Sequence, residues 1–410
     1  MAQNSLSCYS PKNFFSRILM RMNHPDDSLQ KKAHMRLATR MNLPTSIFVA
    51  IAIILMSLAG SSRAAWAESP LSLNFENQSY FYDLEHSNID NIDKGFTLFG
   101  NLLKTYFRYD IKPGLRIEAG ALIDNPFGED DRVDEVDPIL SLHYRFAPHW
   151  VVTAGTIDRD HPLHDAFFDD VLHYTEPIEQ GFQFRGRSKY FLQDAWISWE
   201  ENETATRREK FSVGNYSQLK RGGFMVDGQL YWVHLGGQLN TTPCCFNNLS
   251  LGVGTGYTHR FKSHGTGSRI LEELGFTVHY LRNKDDPTDR PDVEESGIAA
   301  RVFAKVWGTD VHFLYWDGGS DNFNSSKGDI ITPGVALAKG DPIYKAEDFQ
   351  EIGFARSWML SDEVSLDVDF RGQFIQDEVG AVFAFNFTWR PQFSLFEDYF
   401  ARKRNSARKR

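Results

Sequence analysis

The side chains best suited to chemistry are gathered in one stretch, residues 158–177. His161, His164 and His173 stand there among several aspartates. Imidazole and carboxylate groups can bind a divalent metal, and they can also act as general base and acid. The spacing of the histidines is irregular and matches no zinc motif, so we predict neither a metal site nor a cofactor.

A hydrolytic site would also require a nucleophile beside a base. The chain offers no serine or cysteine whose spacing to a histidine suggests such a pair, and His143 and His279 are isolated in the sequence. A lone histidine on a polar face is usually only solvated. We therefore predict no catalytic residue and no enzymatic activity.

Alternating polarity dominates the chain between Leu71 and Trp389, with no convincing long helical stretch. In residues 364–374 one face holds Val364, Leu366, Val368, Phe370 and Phe374, and the other holds Ser365, Asp367, Asp369, Arg371 and Gln373. Consecutive charged side chains on one face cannot lie in a dry protein core. The pattern favours a strand with lipid on one side and water on the other.

About sixteen such segments follow one another, although 14 or 18 would also fit the pattern. The predicted strands are 71–84, 97–111, 115–127, 137–146, 150–157, 180–186, 190–200, 208–220, 225–240, 248–260, 270–282, 295–307, 309–319, 348–360, 364–376 and 378–389. We predict an all-β fold, a transmembrane antiparallel up-and-down β-barrel. Long and short connections alternate along the chain, which is typical of outer loops and periplasmic turns.

The last strand carries a second signal. Glu378, Gly380, Phe383, Phe385 and Phe387 follow a polar, glycine and alternating aromatic order. This order resembles the closing-strand signal by which bacterial outer-membrane β-barrels are recognised for insertion. It implies the barrel-assembly machinery and outer-membrane lipid as partners.

Over the whole predicted barrel, the chain resembles the outer-membrane porins at the level of architecture. In sixteen-stranded porins the third outer loop folds inward and places acidic side chains opposite a basic wall. The matching link here carries the candidate constriction residues Asp165, Asp169 and Asp170. Inward-facing basic candidates are Lys104, Arg108, Arg116, Arg145, Arg301, Lys305 and Arg371, and inward-facing acidic candidates are Glu118, Glu273, Asp367 and Asp369.

The two ends of the chain differ from the barrel. Residues 1–67 read as a basic leader and a secretory signal cut after Ala67, with a start that is over-long. Residues 68–390 form the predicted outer-membrane barrel, and residues 391–410 form a basic periplasmic tail. Cys244 and Cys245 would be the two cysteines of the mature chain, and their sequence leaves a redox role, local rigidification and incidental thiols all open.

Composition narrows the function. Charged residues make up 24% of the chain, which excludes a bundle of membrane-spanning helices. The formal net charge of -10 argues against nucleic acid as a partner. The resemblance implies a porin-like channel for passive diffusion of small polar or charged solutes in the outer membrane of a Gram-negative-type bacterium, and a homo-trimer is one assembly it allows. Two alternatives stay open, an export pore for an anionic polysaccharide and an outer-membrane hydrolase.

Overall fold

The computed structural model describes residues 71–86, 95–128, 135–237, 239, 246–261, 270–287, 292–319, 323, 330–332, 335–336, 339–375 and 378–395. The predicted leader and signal peptide, Cys244 and Cys245, and residues 396–410 of the predicted tail lie outside the described residues. No helix in the described part of the chain is long and apolar enough to span a membrane.

Sixteen strands close into one antiparallel barrel, which confirms the predicted fold. The barrel strands are β1 Leu71–His86, β2 Phe96–Lys112, β3 Leu115–Pro126, β4 Glu135–Ala147, β5 Trp150–Asp158, β6 Ile178–Arg187, β7 Phe191–Glu201, β8 Glu209–Arg221, β9 Phe224–Gly236, β10 Phe246–Arg260, β11 Leu271–Pro287, β12 Val293–Val306, β13 Thr309–Asp317, β16 Asp348–Met359, β17 Val364–Ile375 and β18 Glu378–Trp389. Each barrel strand pairs with the next barrel strand in the chain, β13 pairs with β16, and β1 pairs with both β2 and β18.

Three short strands complete the set. β14 Ile330–Thr332 and β15 Val335–Ala336 pair only with each other. β19 Gln392–Ser394 follows Pro391 and pairs with the first residues of β1, with Ser394 opposite Ser72. The described start of the predicted tail therefore extends the sheet along β1.

The outer wall is apolar because side chains alternate along each strand. In β18, Phe383, Phe385 and Phe387 are each more than a third exposed, whereas Val382 and Ala384 are buried. Other strands repeat this outward row with Leu251, Val253, Phe276, Tyr280, Val302, Phe313, Phe354 and Phe370. A closed barrel with such a wall satisfies its backbone hydrogen bonds in lipid. This confirms the prediction of an outer-membrane location.

The connections divide the barrel into two rims. One, the turn rim, holds the turns 113–114, 148–149, 188–190, 222–223, 307–308 and 360–363, and the strand ends on either side of residues 261–270 lie at the same rim. The other, the loop rim, is formed by the strand ends on either side of residues 87–95, 127–134, 159–177, 202–208, 237–245, 288–292, 318–347 and 376–377. Gly114 and Gly308 have φ of +83° and +73°, which glycine adopts readily and which lets the chain reverse within two residues. Short turns mark the periplasmic side of such barrels.

Part of the barrel interior is occupied by protein and is not filled with water. The link 159–177, which we call the lumen loop, enters the barrel and contains a short helix, α1 Leu172–Thr175. A 3₁₀ turn at Pro342–Lys345 is buried beside the residues that pack on this loop. The alternation of polar and apolar residues identifies strands, but it cannot predict that a link enters the lumen. The apolar residues of these links do not repeat with a period of two.

Substitutions on the two faces of one strand test the orientation of the wall. We expect Phe370→Arg to lower the free energy of unfolding by about 2–4 kcal/mol, because the charge would enter lipid near the middle of the wall. Asp367→Arg, which changes an inward position of the same strand, is the control and should cost much less. Urea unfolding of the protein in lipid vesicles measures both. Equal losses would contradict the assignment of the two faces.

Candidate functional site

The lumen loop crosses the barrel from one wall to the other. Its Phe167, Phe168 and Leu172 belong to an apolar cluster that includes the wall residues Trp196 and Tyr231. On the opposite side, its Val171 and Tyr174 join a second cluster formed by residues of β1 to β4 and β18. The loop is therefore packed as a core between two walls and does not extend into solvent.

A second segment, residues 339–346, holds the lumen loop from the side. The Asp169 N–H donates to the Lys339 carbonyl at 2.7 Å, and the Asp341 N–H donates to the Asp165 carbonyl at 2.8 Å. The Lys339 ammonium lies 2.7 Å from a carboxylate oxygen of Glu176 at the far end of the loop. These contacts fix the position of the loop acids.

Buried ion pairs anchor the same loop to the wall. Arg371, which is 6% exposed, donates to Asp170 at 2.7 Å. Arg159 lies 2.9 Å from Glu176 and 3.3 Å from Glu179, and it is 4% exposed. A buried charge without a partner is costly. The two arginines therefore favour the loop conformation that keeps Asp170 and Glu176 within reach of them.

His161 lies between two carboxylates within this network. Its Nδ1 lies 3.0 Å from Asp194, its Nε2 lies 3.4 Å from Glu179, and its ring stacks on Trp196 with centroids 3.4 Å apart. Burial alone would lower the pKa of His161, but the hydrogen bonds to Asp194 and Glu179 raise it above the ordinary value. Both ring nitrogens are occupied, so His161 has no free nitrogen for chemistry.

A cavity of about 190 Å³ lies beneath the lumen loop, and we call it the lumen cavity. Its lining combines loop residues with the inner faces of β8, β9, β11, β12 and β13: Pro162, Leu163, His164, Asp165, Tyr216, Met225, Gln229, Thr277, His279, Ala299, Arg301, Leu314 and Tyr344. Histidine, carboxyl, guanidinium and phenol groups therefore meet around one small volume.

An aspartate and histidine pair stands at this cavity. The Nε2 of His279 lies 3.2 Å from a carboxylate oxygen of Asp227, and Asp227 is 3% exposed. The Gln229 amide donates to the other Asp227 oxygen at 2.9 Å. This arrangement assigns the proton to Nε2, and Nδ1 has no hydrogen-bond partner among the described residues. Such an imidazole can act as a general base.

His164 and Asp165 line the lumen cavity from the loop side. Burial, together with the nearby His279 and Arg301, lowers the pKa of His164 well below its ordinary value. Burial raises the pKa of Asp165 to about 6, with a further rise from Asp170. Burial also raises the pKa of Asp341 to about 7, although the N–H of Ile343 acts in the opposite direction. Both carboxyl groups therefore hold their protons to a higher pH than an exposed aspartate does, Asp165 to about pH 6 and Asp341 to about pH 7.

The predicted basic wall is divided into separate contacts. Arg108 and Arg116 lie 2.9 and 3.4 Å from Glu118, which also contacts His143 at 3.3 Å. Lys104 pairs with Asp158. Of the other predicted cations, Arg301 is placed at the lumen cavity, Lys305 lies 3.4 Å from Asp310, Arg371 contacts the lumen loop, and Arg145 is an exposed residue close to the turn rim.

The predicted acids also separate. Asp165 lines the lumen cavity, Asp170 binds Arg371, and Asp169 accepts the N–H of Val171 within its own loop. Among the predicted wall acids, Glu273 pairs with Arg260 at 2.9 Å, and Asp369 lies 3.3 Å from Arg371. Asp367 precedes Asp369 by two residues along β17. The constriction role and the assembly role of Gly380, Phe383, Phe385 and Phe387 stay predictions.

Several members of the site were not found from the sequence. Asp227, Asp194 and Tyr344 carry no local motif, and Asp227 and His279 are 52 residues apart in the chain. One usable signal was the position of Asp227 in the inward row of β9, where Tyr231 and Val233 are apolar and buried. No group of three histidine, cysteine or acidic side chains in the described ranges is arranged to hold a metal ion.

Comparisons with known proteins point to a family and to a fold. The sequence model of a family described as lipid A 3'-O-deacylase-type matches residues 62–398. No curated protein matches the sequence.

Solved structures with a similar fold are outer-membrane proteins. OprD of Pseudomonas aeruginosa is 11% identical with a TM-score of 0.48, over 81% of this chain and 96% of its own. The trimer form of OmpT of Vibrio cholerae is 10% identical with a TM-score of 0.47, over 78% and 99%. An anion-selective porin of Comamonas acidovorans is 11% identical with a TM-score of 0.47, over 79% and 100%. A homo-trimer stays a prediction for this chain.

The raised pKa values generate a pH dependence. Asp165 and Asp341 have ordinary pKa values of 3.8 and values of about 6 and about 7 in the folded protein. Their folded forms bind protons more tightly, so the packing of the lumen loop should lose stability as pH rises from about 4 to about 7. Hydrogen-exchange protection of residues 159–177, corrected for intrinsic rates, measures this loss.

The double substitution Asp165→Asn and Asp341→Asn is the control for that experiment. It should remove most of the decline between pH 4 and pH 7 and leave the contribution of His161, whose raised pKa acts in the same direction. A decline that is unchanged in the double variant would show that other groups control the loop.

Proposed function

We propose, because the chain belongs to the lipid A 3'-O-deacylase-type family, that it is an outer-membrane hydrolase that cleaves an ester-linked acyl chain from an acylated glycolipid of the lipid A type. The prediction that the protein is not an enzyme is wrong, since the family match extends over residues 62–398. The prediction failed because it relied on sequence spacing, whereas barrel strands bring distant residues together.

The observation that carries the proposal is the Asp227–His279 pair at the lumen cavity. Asp227 holds the Nε2–H of His279 at 3.2 Å, which leaves the lone pair of Nδ1 for a water molecule. A positioned imidazole that removes a proton in the transition state typically accelerates a reaction by about 10²–10⁴-fold. The pair therefore supplies the base that ester hydrolysis by water requires.

The proposed reaction balances with groups at the cavity. His279 takes a proton from water as the water oxygen attacks the ester carbonyl carbon. The bond between that carbon and the sugar oxygen then breaks, and the proton on His279 passes to the leaving oxygen. The products are a fatty acid and a free hydroxyl group on the glycolipid.

Arg301 is the candidate group for the charge that develops on the carbonyl oxygen. It lines the same cavity, and one of its terminal nitrogens donates to Nδ1 of His312 at 2.8 Å. The remaining guanidinium N–H groups are directed by this contact, and fixed donors stabilise an oxyanion without reorganisation. Leu163, Leu314 and Tyr344 give the cavity an apolar side for an acyl chain.

Other histidines on the inner wall are less suited to the role. Both nitrogens of His161 face carboxylates, and its side chain has no exposed surface. His312 is held between Arg301 and Glu351. His143 contacts Thr153 and Glu118 away from the cavity.

Substitution of the proposed base tests the function. His279→Gln should reduce kcat for release of fatty acid from purified lipid A by at least about 100-fold, because the proton acceptor is lost. Mass spectrometry of the fatty acid and of the shortened glycolipid measures the reaction. His143→Gln, which alters another carboxylate-paired histidine, is the matched control and should retain activity. Equal activity of His279→Gln and the unsubstituted protein would exclude His279 as the base.

A passive diffusion channel is the second candidate, and the charged inner wall near the turn rim favours it. Arg108, Arg116, Glu118 and Lys305 lie on that wall, outside the two apolar clusters. Mixed charges of this kind suit small polar solutes more than an anionic polysaccharide.

Conductance separates the two candidates. We expect the unsubstituted barrel to give small or no single-channel steps in a planar bilayer, because the lumen loop packs on both walls. Replacement of residues 162–174 by a glycine and serine linker should produce larger discrete steps. Large steps from the unsubstituted protein, together with no release of fatty acid, would favour the channel over the hydrolase.

A further inference from the structure

A second cavity of about 500 Å³ lies at the turn rim, and we call it the rim cleft. The cleft is formed where the turns 188–190 and 222–223 meet the end of β10. Its lining includes Lys189, Lys220, Arg221 and Arg260 together with the rings of Tyr190 and Phe224. Met225 is the one lining residue that the rim cleft shares with the lumen cavity.

The charge of the rim cleft is of one sign. Lys189, Lys220, Arg221 and Arg260 line it, and no acidic side chain does. Of these cations, Arg260 is paired with Glu273 at 2.9 Å. The whole chain carries a formal net charge of -10, so the cleft is positively charged in a protein whose net charge is negative. An anion is the ligand that such a cleft attracts.

Apolar and aromatic surface adjoins the cations. Tyr190 is 50% exposed and carries Lys189 over its ring at 4.9 Å, and Phe224 is 66% exposed beside the ring of Tyr257. The outward row directly above continues with Leu219 and Val226, which are 59% and 57% exposed. A ligand in the cleft would therefore meet cations at the rim and an apolar wall above them.

We propose that the rim cleft binds the headgroup of an anionic glycerophospholipid from the periplasmic leaflet. The lysine and arginine side chains pair with the phosphate, and the acyl chains lie along the outward row that begins at Leu219 and Val226. The aromatic rings lie at the interface between the two, where amphipathic rings are favoured. The position of the short turns places this rim on the periplasmic side.

The experiment measures lipid binding to the full-length protein in neutral detergent. Native mass spectrometry would be titrated with dihexanoyl phosphatidylglycerol, dihexanoyl phosphatidylcholine and inorganic phosphate in separate series. We expect phosphatidylglycerol to bind most tightly. The triple substitution Lys189→Gln, Lys220→Gln and Arg221→Gln should weaken that binding by roughly 30-fold or more, since each cation near an anionic headgroup contributes separately.

A second triple variant controls for total charge. Lys112→Gln, Arg145→Gln and Lys305→Gln remove three cations near the same rim but outside the cleft, and this variant should bind phosphatidylglycerol as the unsubstituted protein does. An equal loss in both triple variants would overturn the proposal. It would also be overturned if phosphatidylcholine bound as tightly as phosphatidylglycerol, or if inorganic phosphate did, because a lipid headgroup would then not be the specific ligand.

Discussion

The whole structure depends on one constraint, the need of a sheet in lipid to leave no backbone hydrogen-bonding group unpaired. This chain meets it by pairing β1 with both β2 and β18, so that the barrel has no edge. Closure with sixteen strands leaves a lumen wider than wall side chains alone can fill. The chain must therefore hydrate that volume or occupy it, and the lumen loop occupies part of it with two apolar clusters.

Filling the lumen brings ionisable groups out of water, and the ion network follows from this. A buried charge is costly unless a partner and hydrogen bonds compensate for it. Arg371 meets Asp170, Arg159 meets Glu176 and Glu179, and His161 lies between two carboxylates. Each pair joins the loop to a wall strand or joins the two ends of the loop to each other. The charges therefore also determine where the loop can lie.

The sequence predicted the strands better than the site. A strand is determined by residues close together in the chain, whereas the site depends on residues that are far apart in it. The inward position of Arg371 follows from alternation within residues 364–374, a local pattern. Its partner Asp170 is 201 residues away, and no local pattern relates the two. Residues 342–345 gave no strand or helix signal at all, although Ile343 and Tyr344 are among the most buried side chains. The enzymatic prediction failed on the same ground, because Asp227 of β9 and His279 of β11 meet only across Gly254 of the intervening strand β10.

Two series of hydrogen-bonded side chains end at the lumen cavity. They explain how Arg301 and His279, whose side chains could otherwise rotate, are held in one orientation. Gln229 holds Asp227, which holds His279. On the other side, Glu351 lies 2.9 Å from Nε2 of His312, and Nδ1 of His312 accepts from Arg301. Each series begins at a buried wall residue and ends at a group that lines the cavity. Groups supported in this way need little rearrangement when charge develops on a substrate, which is the condition for electrostatic catalysis.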